Sequence, residues 1–196
     1  MAMRPLALLL FATMTTAAFA QAGLESRAMT VDASVPGFCA VGPAQLAEGA
    51  MVNFRGLNGN ALQIDALVDP ATMSTQGASV GLRLDAQCSI PHRLRIETQN
   101  NGLWQTLEQS REAADGFASA VPYRAIVRWG AETVTMNADA QVRRISESSI
   151  AVATSVVGDI LLRLEIDPGA TNASTNAPLL AGHYGDSLRI TLEPRQ

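Results

Sequence analysis

The chain contains no lysine, only two histidines and only two cysteines, and aromatic residues make up 5% of its 196 positions. Each scarcity excludes something. All 14 basic residues are arginines, and against 18 Asp and Glu they leave a formal charge of −4. They are scattered along the chain, whereas a protein that grips nucleic acid or an anionic membrane needs a gathered positive patch. His92 and His183 have no partner at helical spacing, and Cys39 and Cys88 are not Cys-x-x-Cys, so the familiar metal-ligand spacings are missing. There is no Gly-x-Ser-x-Gly elbow, no phosphate-binding glycine loop and no calcium loop. Glu108, Glu112 and Asp115 come nearest to a carboxylate cluster and read as a solvated face. The expectation is a protein that is not an enzyme and carries no cofactor. Beyond the first twenty residues no apolar run approaches the roughly 20 residues of a membrane helix, so no direct membrane insertion is expected.

What is present begins with an export signal. Arg4 supplies a short positive start, the run from Leu6 to Phe11 is apolar, and Ala18-Phe19-Ala20 is a small-x-small cleavage site before Gln21. Residues 1–20 therefore read as a signal peptide, and the rest fits one ordinary domain with an added arm. In the oxidising compartments that exported chains reach, an isolated pair such as Cys39 and Cys88 is expected to form a disulfide. Free thiols or half of a metal site are the less supported alternatives.

Period-two alternation decides the fold class, because apolar side chains at every second position need a pleated strand with one face buried. Val80, Leu82, Leu84, Ala86 and Cys88 form one such face, with Arg83, Asp85 and Gln87 turned the other way. Leu94 and Ile96 continue after Pro91, until Asn100-Asn101-Gly102 supplies turn chemistry. Tyr123, Ala125, Val127 and Trp129 form another face, as do Ile160, Leu162, Leu164 and Ile166, and finally Leu188, Ile190 and Leu192. Shorter strands are expected over residues 52–57, 61–68, 134–142 and 149–157, with a helical turn or irregular connection over 103–114. Strands of this length separated by Gly, Asn, Pro and Ser turns predict an all-β antiparallel sandwich. The Asn172-Ala173-Ser174 sequon reads as chance within a loop.

The segment before the first cysteine is the least ordinary part. Met29, Val31, Ala33 and Val35 alternate with Thr30, Asp32 and Ser34, and Pro36-Gly37 then breaks the chain. An apolar strand face must be buried or remain an edge that invites aggregation. Burying these four side chains is worth roughly 4–10 kcal/mol gross, before any ordering cost. The segment reads either as the domain's own first strand or as an arm that the Pro-Gly break frees to act elsewhere.

The C-terminal Gly182-His183-Tyr184-Gly185-Asp186-Ser187-Leu188-Arg189-Ile190-Thr191-Leu192 resembles the Gly-x-Tyr-x-Asp-x-Leu-x-Val-x-Leu ending of the spore coat protein U family, which includes the fimbrial subunits of the archaic chaperone–usher pathway. An alternating strand set a few residues before Gly37-Phe38-Cys39 is similar to that family too, and Asn53-Phe54-Arg55-Gly56 resembles its Phe-Gly segment with Arg55 interposed. The resemblance implies an incomplete immunoglobulin-like, pilin-type sandwich over residues 37–196, missing its last strand. Residues 21–36 would then be a donor-strand extension whose Met29, Val31, Ala33 and Val35 fill a groove lined by Leu188, Ile190 and Leu192 of another copy. It implies identical or related pilin subunits as partners, with a periplasmic chaperone and an outer-membrane usher. The chain would pass through the periplasm to a cell-surface fimbria serving adhesion and biofilm formation, or to a protein coat. Gly182, Tyr184 and Asp186 carry the family motif, with Tyr184 and Asp186 expected to act structurally at a strand entrance. A different class of function is a monomeric secreted binding module in which Trp104, Trp129 and Tyr123 form a stacking platform.

Overall fold

The computed structural model describes residues 27–106 and 116–195. The expected signal peptide, the first residues of the arm, and Glu108, Glu112 and Asp115 lie outside the described residues. The chain divides into two units, Met1–Val35 and Pro36–Gln196. No helix among the described residues is long and apolar enough to cross a membrane.

Within Pro36–Gln196 the described residues form thirteen strands and no helix: β1 (Cys39–Val52), β2 (Phe54–Asn58), β3 (Ala61–Ile64), β4 (Ala78–Cys88), β5 (His92–Thr98), β6 (Leu103–Gln105), β7 (Ala120–Val121), β8 (Tyr123–Trp129), β9 (Glu132–Ala138), β10 (Ser146–Val152), β11 (Val156–Ile166), β12 (Tyr184–Gly185) and β13 (Leu188–Pro194). The first sheet runs β1-β4-β11-β8-β9 and the second β10-β5-β13; a small sheet β12-β6-β7 and the hairpin β2-β3 complete the unit. Every ladder is antiparallel.

The alternation sets which side chains meet. From the first sheet Val80, Leu82, Val127, Trp129, Ile160 and Leu162 turn inward, and from the second Leu94, Ile96, Val152 and Leu192 meet them in one buried core. This is the packing of two sheets on a shared apolar layer, each strand showing its polar alternates to solvent. A second, smaller core gathers Val121, Ile166 and Leu179.

Cys39 and Cys88 stand opposite each other at the ends of β1 and β4 and are joined by a disulfide. Both sulfurs are thereby used, which removes the alternatives of free thiols and a half-built metal site. Close by, His92 and Trp129 are wholly buried. The indole Nε1 donates to His92 Nε2 at 2.7 Å, and His92 Nδ1 meets the Ile90 carbonyl at 2.8 Å. One proton on Nδ1 satisfies both contacts, so a neutral imidazole is fully bonded inside the core.

Five local expectations are corrected, the first being the strand over 61–68, which stops at Ile64. Residues 52–57 are split, because Asn53 takes a left-handed conformation (φ 59) between β1 and β2 and its side chain bonds Ala66 and Gly77. Residues 149–157 are also split, since β10 belongs to the second sheet and β11 to the first, and the chain must cross between layers at 153–155. The strand expected over 134–142 ends at Ala138, where Asp139 turns the chain. Residues 103–105 form strand β6 rather than a helical turn. The Asn172 side chain is committed to the backbone: its Oδ1 accepts from Ser119 and Ala120, both at 3.0 Å. The stacking platform is not present, because Trp129 is in the core and the Tyr123 hydroxyl is bonded inward to Asp186.

In the Met1–Val35 unit, residues 27–35 have no regular secondary structure, and Met29, Val31 and Val35 are 88%, 88% and 85% exposed. The alternation predicts a strand here. A strand's N–H and C=O groups need a neighbouring strand, and none of the described ladders includes this segment.

Candidate functional site

The second sheet has β13 at one margin, and among the described strands it is bonded to β5 alone. Gln99 N–H donates to the Ser187 carbonyl and Arg195 N–H to the Pro91 carbonyl, both at 2.9 Å. With Leu188 opposite Thr98 and Arg189 opposite Glu97, antiparallel geometry sends the backbone bonds of Arg189, Thr191 and Glu193 toward β5. The N–H and C=O groups of Leu188, Ile190 and Leu192 therefore point to the free side, where no described strand receives them.

The side chains of these residues face the core. Leu94 and Ile96 on the neighbouring strand are wholly buried, whereas Leu188 and Ile190 are only half-buried. Across the open side lies β1, close to β13 but without a ladder between them. Its Ala44 is half-buried and its Leu46 exposed. Leu84, on a central strand paired on both flanks, is also incompletely covered. The opposite side of the sandwich is closed by the consecutive strands β9 and β10, which lie against one another. Among the described residues, unpaired backbone and uncovered apolar side chains thus coincide at this margin.

The start of the domain is firmly held. Phe38 N–H donates to Ser89 Oγ at 3.0 Å and its carbonyl accepts from Ser89 N–H at 2.9 Å. A methyl on Gly37 would come within 2.6 Å of Ile90 Cγ2, so glycine serves a close approach here.

The motif residues build the corner from which β13 starts. Asp186 Oδ1 accepts from Asn100 N–H at 2.8 Å and Ser187 N–H at 2.7 Å, while Oδ2 accepts from Gly102 N–H at 3.2 Å and the Tyr123 hydroxyl at 3.0 Å. One carboxylate thereby fixes the Asn100-Asn101-Gly102 turn to the beginning of β13. Gly102 is required there, since its φ is 142 and a Cβ would lie 2.6 Å from that of Ala140. The Tyr184 hydroxyl donates to the Leu180 carbonyl at 2.7 Å. A ring just before a strand thus reaches back to upstream backbone and pins the corner. Gly182 lies in the preceding turn, where a Cβ would crowd the Gln105 side chain.

Two predictions arise at this corner. Asp186→Ala removes four hydrogen bonds from one anion, and a loss of about 3 kcal/mol is expected, a melting temperature lower by roughly 10 °C. Asp186→Asn should recover part of this, as the amide oxygen still accepts; thermal unfolding of the two variants checks it. The second prediction concerns base. Burial pushes the Tyr184 hydroxyl up to about 12, and burial together with the Asp186 charge pushes Tyr123 further. A raised folded-state pKa on a group that is neutral when protonated contributes stability below the unfolded value, and loses it as pH climbs through the folded one. Base-induced unfolding should therefore set in between about pH 10 and about 12. Tyr184→Phe should start from a lower neutral-pH stability yet fall less steeply over that window, as followed by circular dichroism.

The sequence-predicted residues fall into separate groups. Leu188, Ile190 and Leu192 lie together on the open margin, Gly182, Tyr184 and Asp186 support it, and Cys39–Cys88 closes the far end of β1. Met29, Val31, Ala33 and Val35 belong to the other unit and are exposed. Sequence reasoning missed Asp186 with Tyr123 and His92 with Trp129, pairs separated by 63 and 37 positions that no local signal connects. No protein-family model, curated protein or solved structure matches this chain.

Proposed function

We propose that this protein is a structural subunit of a surface fibre, assembled by donor-strand exchange. The observation that carries the reading is the margin of β13, where the outward N–H and C=O groups of Ile190 and Leu192 and the half-covered side chains beside them want the same thing: one more strand with an apolar face. Residues 29–35 have that character and are unpaired. A strand added from another chain satisfies backbone and groove together. Donor and acceptor are different parts of one molecule, so the contact is heterologous and propagates as an open filament. A free groove is an aggregation hazard in transit, which assigns a role to a periplasmic chaperone lending a strand and an outer-membrane usher exchanging it. The resemblance to spore coat protein U and archaic fimbrial subunits supports the same reading, with adhesion and biofilm formation, or a coat, as the outcome.

The test is complementation in trans. A synthetic peptide of residues 27–36 is added to full-length chain carrying Val31→Asp, whose own arm cannot serve. At a hundredfold excess over its dissociation constant the peptide should add about 2.7 kcal/mol, raising the melting temperature by roughly 5–10 °C. A peptide carrying the same Asp should do nothing. Equal melting curves with both peptides would count against an acceptor groove.

A further inference from the structure

Two surfaces at opposite ends of the Pro36–Gln196 unit complement each other. Near the disulfide, the outer face of the first sheet has a hollow of about 530 Å³ lined by Ala40, Gly42, Asp85, Gln87, Val157 and Asp159 among others. Val157 is 80% exposed. Asp85 and Asp159 face each other in register across β4 and β11, and like charges placed so are destabilising. Neither carboxylate has an ion-pair partner among the described residues.

At the other end, the connection from β9 to β10 presents Val142 and Ile145, 60% and 58% exposed, on either side of Arg143 and Arg144. The loop is held in place. Ala140 N–H donates to the Asn101 carbonyl at 2.7 Å, Gln141 N–H to Asp139 at 3.0 Å, and Arg143 Nε to Asn100 Oδ1 at 3.0 Å. Arg144 reaches Asp139 only at 3.6 Å, with both side chains about half exposed.

We propose that the Val142-Arg143-Arg144-Ile145 loop of one copy docks on the hollow of the next, its aliphatic side chains against Ala40 and Val157 and its guanidinium groups over Asp85 and Asp159. The inference rests on the donor-strand reading for its strength. Surfaces at opposite ends meet head to tail, and a contact this small holds because the exchanged strand already keeps the two copies at high effective concentration. Its consequence is a preferred orientation between successive subunits in place of a freely jointed chain.

The test places Val142→Cys and Val157→Cys, both exposed positions, in one full-length chain. Mild oxidation of its polymers should give a ladder of covalent oligomers on non-reducing gels. Adding Arg143→Glu with Arg144→Glu should abolish the ladder while electron microscopy still shows polymer, and further adding Asp85→Arg with Asp159→Arg should restore it. Polymers without the ladder, or a ladder indifferent to charge reversal, overturn the contact and leave strand exchange standing. A ladder from chains that form no polymer keeps the contact and overturns strand exchange.

Discussion

Val31→Asp should abolish fibre formation while leaving the melting temperature of the single chain unchanged. Val31 is exposed in the isolated chain, so a carboxylate there costs the domain nothing; surface substitutions of this kind usually stay within about 0.5 kcal/mol. In the fibre the same side chain would be pressed between the two sheets of another copy. Burying an unpaired carboxylate costs several kcal/mol even after relaxation, and about 4 kcal/mol already weakens association roughly a thousandfold. Thr30→Asp, on the alternate face of the same segment, should polymerise close to normally. Sedimentation and electron microscopy of the two variants separate a sidedness effect from simple added charge. Equal polymer yield from both would remove the arm from the mechanism.

The second large effect is on stability. The Cys39–Cys88 bond spans 49 residues, and loop-closure entropy values a crosslink of that size at about 4 kcal/mol. Replacing both cysteines by serine should lower the melting temperature by roughly 8–16 °C. The consequence reaches the open margin, because Cys39 is the first residue of β1 and β1 forms one wall of that side. A variant that frays there should polymerise less than its lowered stability alone explains. Identical melting of the parent chain in oxidising and reducing buffer would contradict this.

Much of the fold was legible because alternation reports burial directly. Leu94 and Ile96, or Val127 and Trp129, occupy the core as their spacing requires. Where the reading failed, the deciding interaction was not local. Nothing near Asn53 says that its side chain will hold Ala66 and Gly77 and so interrupt a strand. Nothing near residue 153 says that the chain changes sheets there. The arm shows the opposite limit: its strand pattern is plain in the sequence, yet a strand is a relation between two segments, and the described ladders supply no partner. Of the candidate site, the apolar residues of β13 were readable. The direction of its backbone bonds was not, because it depends on register against β5.

Central to the account is that β13 awaits a strand from another molecule, and amide hydrogen exchange at Ile190 and Leu192 tests this most directly. In the Val31→Asp chain both amides should exchange quickly while Arg189 and Thr191, bonded to β5, stay protected. In assembled parent fibres all four should be protected. Ile190 and Leu192 already slow in the monomeric variant, or still fast in the fibre, would contradict the account.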